Sequence, residues 1–187
     1  MFMTKYFLTI LILLSGLNLF AQAEDGEEIE DNRRANYFET YIEVTKPIDS
    51  IVVFKSKREL ICFNQKNKLK KYIISLGLEP LGKKQFEGDF KTPEGLYFIN
   101  NRDTISSYHT NLAISYPSTE DSTFAALQNK SAGGDIKIHG FPNKHLKNQE
   151  KDFLNTDWTL GCIAVSDMEI DELYKWVIIN CPILILP

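Results

Sequence analysis

Cys162-Ile163-Ala164-Val165-Ser166-Asp167-Met168-Glu169-Ile170 joins a strand to the start of a helix with nothing between them. In its first half, Ile163 and Val165 alternate with Cys162 and Ala164, the period of two that puts the branched pair on one face of a strand. Ser166 then reads as an N-cap, and Glu169, three residues on, completes a capping box. From Asp167 to Ile179 the apolar residues Ile170, Leu173, Tyr174 and Val177 share one helical face. Asn180 and Pro182 close that helix, and Ile183–Leu186 is a last apolar strand. Working back, short runs of branched and aromatic residues at 51–54, 59–63, 70–76, 96–99, 112–116 and 135–139 read as further strands. Gly77 to Gly95 must be a long loop, and Asp121 to Lys130 reads as a second, short helix. The expected class is α+β and mainly β, a β-sandwich or partial barrel with short helices, one of them C-terminal and just before the last strand.

The 187 residues are 43% hydrophobic and 25% charged, which excludes both disorder throughout and a multi-span membrane protein. A net charge of −4 with no Lys/Arg cluster argues against a nucleic-acid partner. At the N-terminus, Lys5 precedes an apolar run from Tyr6 to Phe20 and then Ala21-Gln22-Ala23. That is the pattern of a secretory signal peptide over residues 1–23. The run is shorter than the ~20 residues that span a bilayer, so no stable membrane span is expected after cleavage. The expected location is outside the cytoplasm, in the periplasm or cell envelope. Glu24, Asp25, Glu27, Glu28, Glu30 and Asp31 make 24–48 an acidic leader, which places the folded domain at 49–187.

Export leaves three cysteines two options: one bridge and one spare thiol, or three free thiols. Cys62 and Cys181 lie in apolar surroundings and read as small buried hydrophobes, with a bridge between them possible. Cys162 differs. It takes the face of its strand opposite Ile163 and Val165, just as His139 and Lys137 take the face opposite Ile136 and Ile138. A thiol needs a basic neighbour to act as a nucleophile, and an imidazole can accept and return a proton at neutral pH. Gly140 lets the chain turn beside the imidazole. Gly161 lets backbone approach a carbonyl, where nearby N–H groups could hold an oxyanion. On residue chemistry alone, a Cys–His acyl-transfer site and a structural role for both residues stand side by side. No spacing motif supports a zinc site through His139 and His145.

The pair His139-Gly140 followed by Thr159-Leu160-Gly161-Cys162-Ile163 resembles the signature of L,D-transpeptidase (YkuD-type) catalytic domains. Upstream, Thr92-Pro93-Glu94-Gly95 is similar to that family's Thr-Pro-x-Gly segment. The resemblance covers about Ile51 to Pro187. It implies an L,D-transpeptidase-like β-sandwich with Cys162 as nucleophile, His139 as general base and the Gly140 carbonyl orienting the imidazole. Thr159 and Gly161 would shape the oxyanion pocket. It also implies an acyl-enzyme formed on peptidoglycan stem peptides, both donor and acceptor, in cell-wall biogenesis or remodelling. No metal or organic cofactor is implied, and a monomer is expected.

The chain departs from the common pattern where many members carry Arg two residues after the nucleophile, because here that residue is Ala164. Asp157-Trp158-Thr159 before the nucleophile and Ala164 after it look like a subgroup of the family. A guanidinium there would pair with a substrate carboxylate, and Lys137 is the candidate to replace its charge. Trp158 and Tyr116 are candidates for the cleft wall, as is His109, whereas His145 reads as solvent-exposed. Three rivals follow. Water could be the acceptor, giving an L,D-carboxypeptidase. A hydrolase could cut cross-links or protein attachments. A wall-binding module would need no catalysis at all.

Overall fold

The computed structural model describes residues 43–145 and 147–187. The expected signal peptide and most of the acidic leader lie outside the described residues. The strands are β1 (Ser50–Phe54), β2 (Glu59–Asn64), β3 (Asn67–Ile73), β4 (Gly95–Asp103), β5 (Asn111–Ile114), β6 (Lys137–His139), β7 (Ile163–Ala164) and β8 (Cys181–Leu186). The helices are α1 (Thr119–Leu127), α2 (Glu150–Asn155) and α3 (Asp167–Trp176). The expected class, α+β and mainly β, is what forms.

All eight strands belong to one curled sheet in the order β3-β2-β1-β8-β4-β5-β6-β7. Past β3 the chain runs on to the opposite end of that sheet. Ser75 pairs antiparallel with Ala164, and Gly77 pairs parallel with Thr159. Strand β7 therefore lies where the two ends of the sheet meet. Neighbours are antiparallel except β1–β8 and β6–β7. A parallel pair needs a crossover, and the one between β6 and β7 carries α2.

Alternation builds the core. Ile51 and Val53 of β1, Leu60 and Cys62 of β2, Tyr97 and Ile99 of β4, and Cys181, Ile183 and Ile185 of β8 are all buried. Helix α3 adds Ile170 and Leu173, and its capping box is made by Ser166 and Glu169, as the sequence predicts. It ends at Trp176 rather than Ile179, because Val177 turns extended and pairs with Ile48. Helix α1 starts earlier than Asp121: Ser118 is its N-cap, and Asp121 reaches back to it. The packed fold also takes in Val44 and Ile48, the last apolar residues of the stretch read as leader. Cys62 and Cys181 are buried, and both thiols are free. No helix among the described residues is long and apolar enough to cross a membrane.

Candidate active site

Strands β6 and β7 run parallel, with Ile138 opposite Ile163 and His139 opposite Ala164. One step back, Cys162 falls beside Lys137. Residues in register on neighbouring strands project the same way, so Cys162 shares a face with Lys137 and His139. Ile138 and Ile163, fully buried, take the other face. The Cys162 Sγ–H points at the Asp135 carbonyl, 3.6 Å away, and the Lys137 N–H approaches the sulfur. Burial pushes the thiol above its ordinary pKa, against the pull of that N–H and of the Lys137 and Lys84 charges.

The turn before Cys162 is tied by one hydroxyl. Thr159 Oγ1 donates to the Cys162 carbonyl at 2.7 Å and accepts from Gly161 N–H at 3.1 Å. The Gly161 N–H is thus engaged by that hydroxyl rather than left free. Gly161 itself sits at φ +130°, with the Lys91 carbonyl only 2.7 Å from where a Cβ would be, so a side chain has no room there. Asp157 holds the same segment from behind: it binds Arg58 Nε and Nη2 and accepts from Leu76 N–H.

The long loop 77–94 packs against this turn. Thr92, fully buried, accepts from Gly77 N–H through Oγ1 at 3.0 Å. Lys84 and Asp89 form a buried ion pair at 2.7 Å. Asp89 also gathers the N–H groups of Gln85, Phe86 and Lys91.

His139 is held from several sides. Its Nδ1 lies 2.7 Å from the Gly140 carbonyl; with the proton on Nδ1, Nε2 is left as acceptor. Its ring lies 4.8 Å from Tyr108 and 5.5 Å from Trp158, centroid to centroid. Burial lowers its pKa, the Gly140 bond raises it, and the Lys137 charge lowers it again, with a net shift downward. The imidazole is therefore neutral at neutral pH. Tyr108 and Trp158 also line a cavity of about 440 Å³, together with Pro142 and Lys144.

The remaining candidates divide. Lys137 is half-buried on the site face, and its ammonium pairs with Asp135 at 2.7 Å. His109, a candidate for the cleft wall, turns elsewhere, with Nε2 2.9 Å from Asp171 on α3, and its neighbour Tyr108 packs beside the imidazole. Tyr116 is a packing residue whose hydroxyl donates to the Ala132 carbonyl. His145 is not free in solvent: it binds the Pro142 carbonyl and Glu150 and packs on Phe141. Ala164, the departure from the Arg pattern, is 1% exposed, and both its N–H and its carbonyl are bonded to the Ser75 backbone; its methyl group carries no charge for a ligand.

A family model described as the YkuD L,D-transpeptidase catalytic domain matches residues 48–185. YafK of Escherichia coli (strain K12), named as a candidate L,D-transpeptidase, is 29% identical over 134 residues, covering 68% of this chain and 46% of its own length. The chain thus spans about half the length of the curated relatives it matches. Bd1075 of Bdellovibrio bacteriovorus superposes with a TM-score of 0.52 at 26% identity, over 78% of this chain and 50% of its own. The helical cell shape determining protein Pgp2 from Campylobacter jejuni superposes at 0.55 with 22% identity, over 75% and 48%, and shows likeness of fold alone.

Proposed function

The chain belongs to the YkuD family of L,D-transpeptidase catalytic domains, and from that premise we propose that it is an exported cysteine acyltransferase acting on peptidoglycan stem peptides. The observation that carries this reading is the placement of Cys162 and His139 on one face of adjacent parallel strands, with the imidazole fixed through Nδ1. His139 Nε2 takes the thiol proton as sulfur attacks the carbonyl of the L-centre of a diaminopimelate-type residue. The oxyanion meets the N–H of Cys162 rather than that of Gly161. As the tetrahedral intermediate collapses, the imidazolium gives its proton to the departing D-amino acid, and a thioester remains. An acceptor amine then attacks the thioester and frees the sulfur. Lys137 lies on the same strand face as Cys162, and its ammonium is the cation assigned in this reading to a substrate carboxylate.

A second reading has water as the acceptor, and Ala164 favours it. With no guanidinium at that position and the Lys137 ammonium shared with Asp135, the grip on an incoming carboxylate is weak. Intact-protein mass spectrometry with a stem tetrapeptide tests both. Wild type should gain the tripeptide acyl mass, and Cys162→Ala should gain none; an adduct or turnover in that variant ends the proposal. Adding an acceptor stem peptide separates the two readings, because cross-linked dimers report transfer and free tripeptide reports hydrolysis.

A further inference from the structure

Asp167, the first residue of α3, stands directly behind the turn that follows His139. Its Oδ1 accepts from the Phe141 N–H at 2.7 Å. On the far side of the same turn, His139 Nδ1 lies 2.7 Å from the Gly140 carbonyl oxygen. That N–H and that carbonyl belong to one peptide group, the planar and resonance-coupled unit between Gly140 and Phe141. A carboxylate and an imidazole are therefore joined in line through a single amide. Drawing on the N–H shifts electron density onto the carbonyl oxygen, and hydrogen bonds in such a chain strengthen one another.

Three further features fix the arrangement. Gly140 N–H donates to the Tyr108 carbonyl, and Val165 N–H donates to the His139 carbonyl, so backbone pins the strand end on both sides. An ideal Cβ at Gly140 would stand 2.4 Å from Asp167 Oδ1 and 2.9 Å from His109 Cβ. Glycine is thus required there because the carboxylate has to come that close. Ser166, the N-cap whose side chain accepts from Glu169 N–H, sets the helix start and with it the position of Asp167. An acidic residue in a first turn is also favoured by the helix dipole.

We propose that Asp167 is a positioning residue for His139, acting through the Gly140–Phe141 peptide group. The inference deepens the reading above and rests on His139 being its base. Asp167 would hold the imidazole in the Nδ1–H form, keep Nε2 free to accept, and stabilise the imidazolium when the proton arrives. It differs from a carboxylate bonded directly to the ring, because the charge stays partly hydrated and only its polarisation reaches the site. The titratable groups around it are His109, with Nδ1 4.0 Å from Asp167 Oδ2, His145, whose pKa it helps to raise, and Asp171 on its own helix. Lys137 acts on His139 from the strand side.

The test is a ¹⁵N-histidine NMR titration of the full chain, with kcat/KM on a stem tetrapeptide measured in parallel. Asp167→Asn keeps an acceptor for Phe141 and removes the charge. His139 should then titrate at a lower pH than in wild type, and kcat/KM at neutral pH should fall about tenfold, by analogy with the loss of an outer carboxylate partner of a metal-bound histidine. Asp167→Ala, which also orphans the Phe141 N–H, should fall further; if it does not fold, the Asn variant carries the test alone. Asp171→Asn removes a neighbouring charge that has no path through the peptide and should leave the titration in place. An unmoved His139 titration in Asp167→Asn, or an equal movement in Asp171→Asn, overturns the proposal. The NMR reading needs no substrate. A wild type that shows the shift but does not turn over stem peptides would therefore count against the substrate assignment and not against Asp167.

Discussion

At Cys162 and His139, burial acts on two protons in opposite senses. It pushes the thiol above its ordinary value of 9.0 and, with Lys137, holds the imidazolium below its ordinary 6.5. Between those limits both groups rest neutral, and in the proposed mechanism the proton moves only when substrate arrives. Alkylation of Cys162 by iodoacetamide in the free protein should therefore keep rising past pH 9, with no plateau near neutrality. The acid limb of kcat/KM, which reports the free protein's base, should lie below 6.5. A flat alkylation rate from pH 6 to pH 8 would contradict this. Both residues were legible because strand alternation fixes which side a residue takes. Tyr108 was not legible. It lies in a loop where alternation does not apply, and His109 next to it has φ 59°, which swings its ring towards Asp171 and leaves the cleft wall to the tyrosine. The engaged N–H of Gly161 was equally hidden, since it depends on which way one threonine hydroxyl points.

Among the elements, those with caps or strict alternation could be read from sequence, and those without could not. Ser166 and Glu169 announce α3. Nothing announces α2, which has no side-chain cap and no buried residue and forms in the crossover between β6 and β7. The segment 157–159 is the opposite case, short but anchored. Asp157 ties it to Arg58, which stands at a left-handed position between β1 and β2, and to the Leu76 N–H. Asp157→Ala leaves a guanidinium and an N–H without their acceptor, at a cost of about 1–3 kcal/mol. The expected result is a lower urea midpoint together with a clear loss of kcat/KM, because Thr159 and the nucleophile turn follow directly. Stability lost with kcat/KM unchanged would show that this anchor supports the sheet and not the site.

For the molecule as a whole, the buried titratable groups define a pH window. Burial raises Asp89, Asp121 and Glu172, but their cations and N–H donors outweigh it and hold each below the usual carboxylate range. Such groups add stability above their unfolded pKa and lose it as pH falls through the folded one. His139, also depressed, subtracts stability once the unfolded chain begins to take protons, below about 6.5. His145, raised by the Pro142 carbonyl, opposes this in part. On the alkaline side burial raises Cys62, Cys162, Tyr97 and Tyr116, and pushes Cys181 up to about 12. Their contribution is present below the unfolded values and lost above about 8.5–10. Tm measured against pH should be flat from about 6.5 to 8.5 and fall on both sides, most steeply below about 4.5. A Tm that climbs on acidification from pH 6 to pH 4 would refute the balance. One last consequence comes from Ser75 and Gly77 meeting Ala164 and Thr159. The Cys162 sulfur, the proposed nucleophile, sits on the join of a rolled wall, so damage far away along β2 or β3 that merely loosens the overlap should lower the proposed turnover while spectroscopy still reports an intact protein. Turnover is the finest gauge of whether the roll is shut.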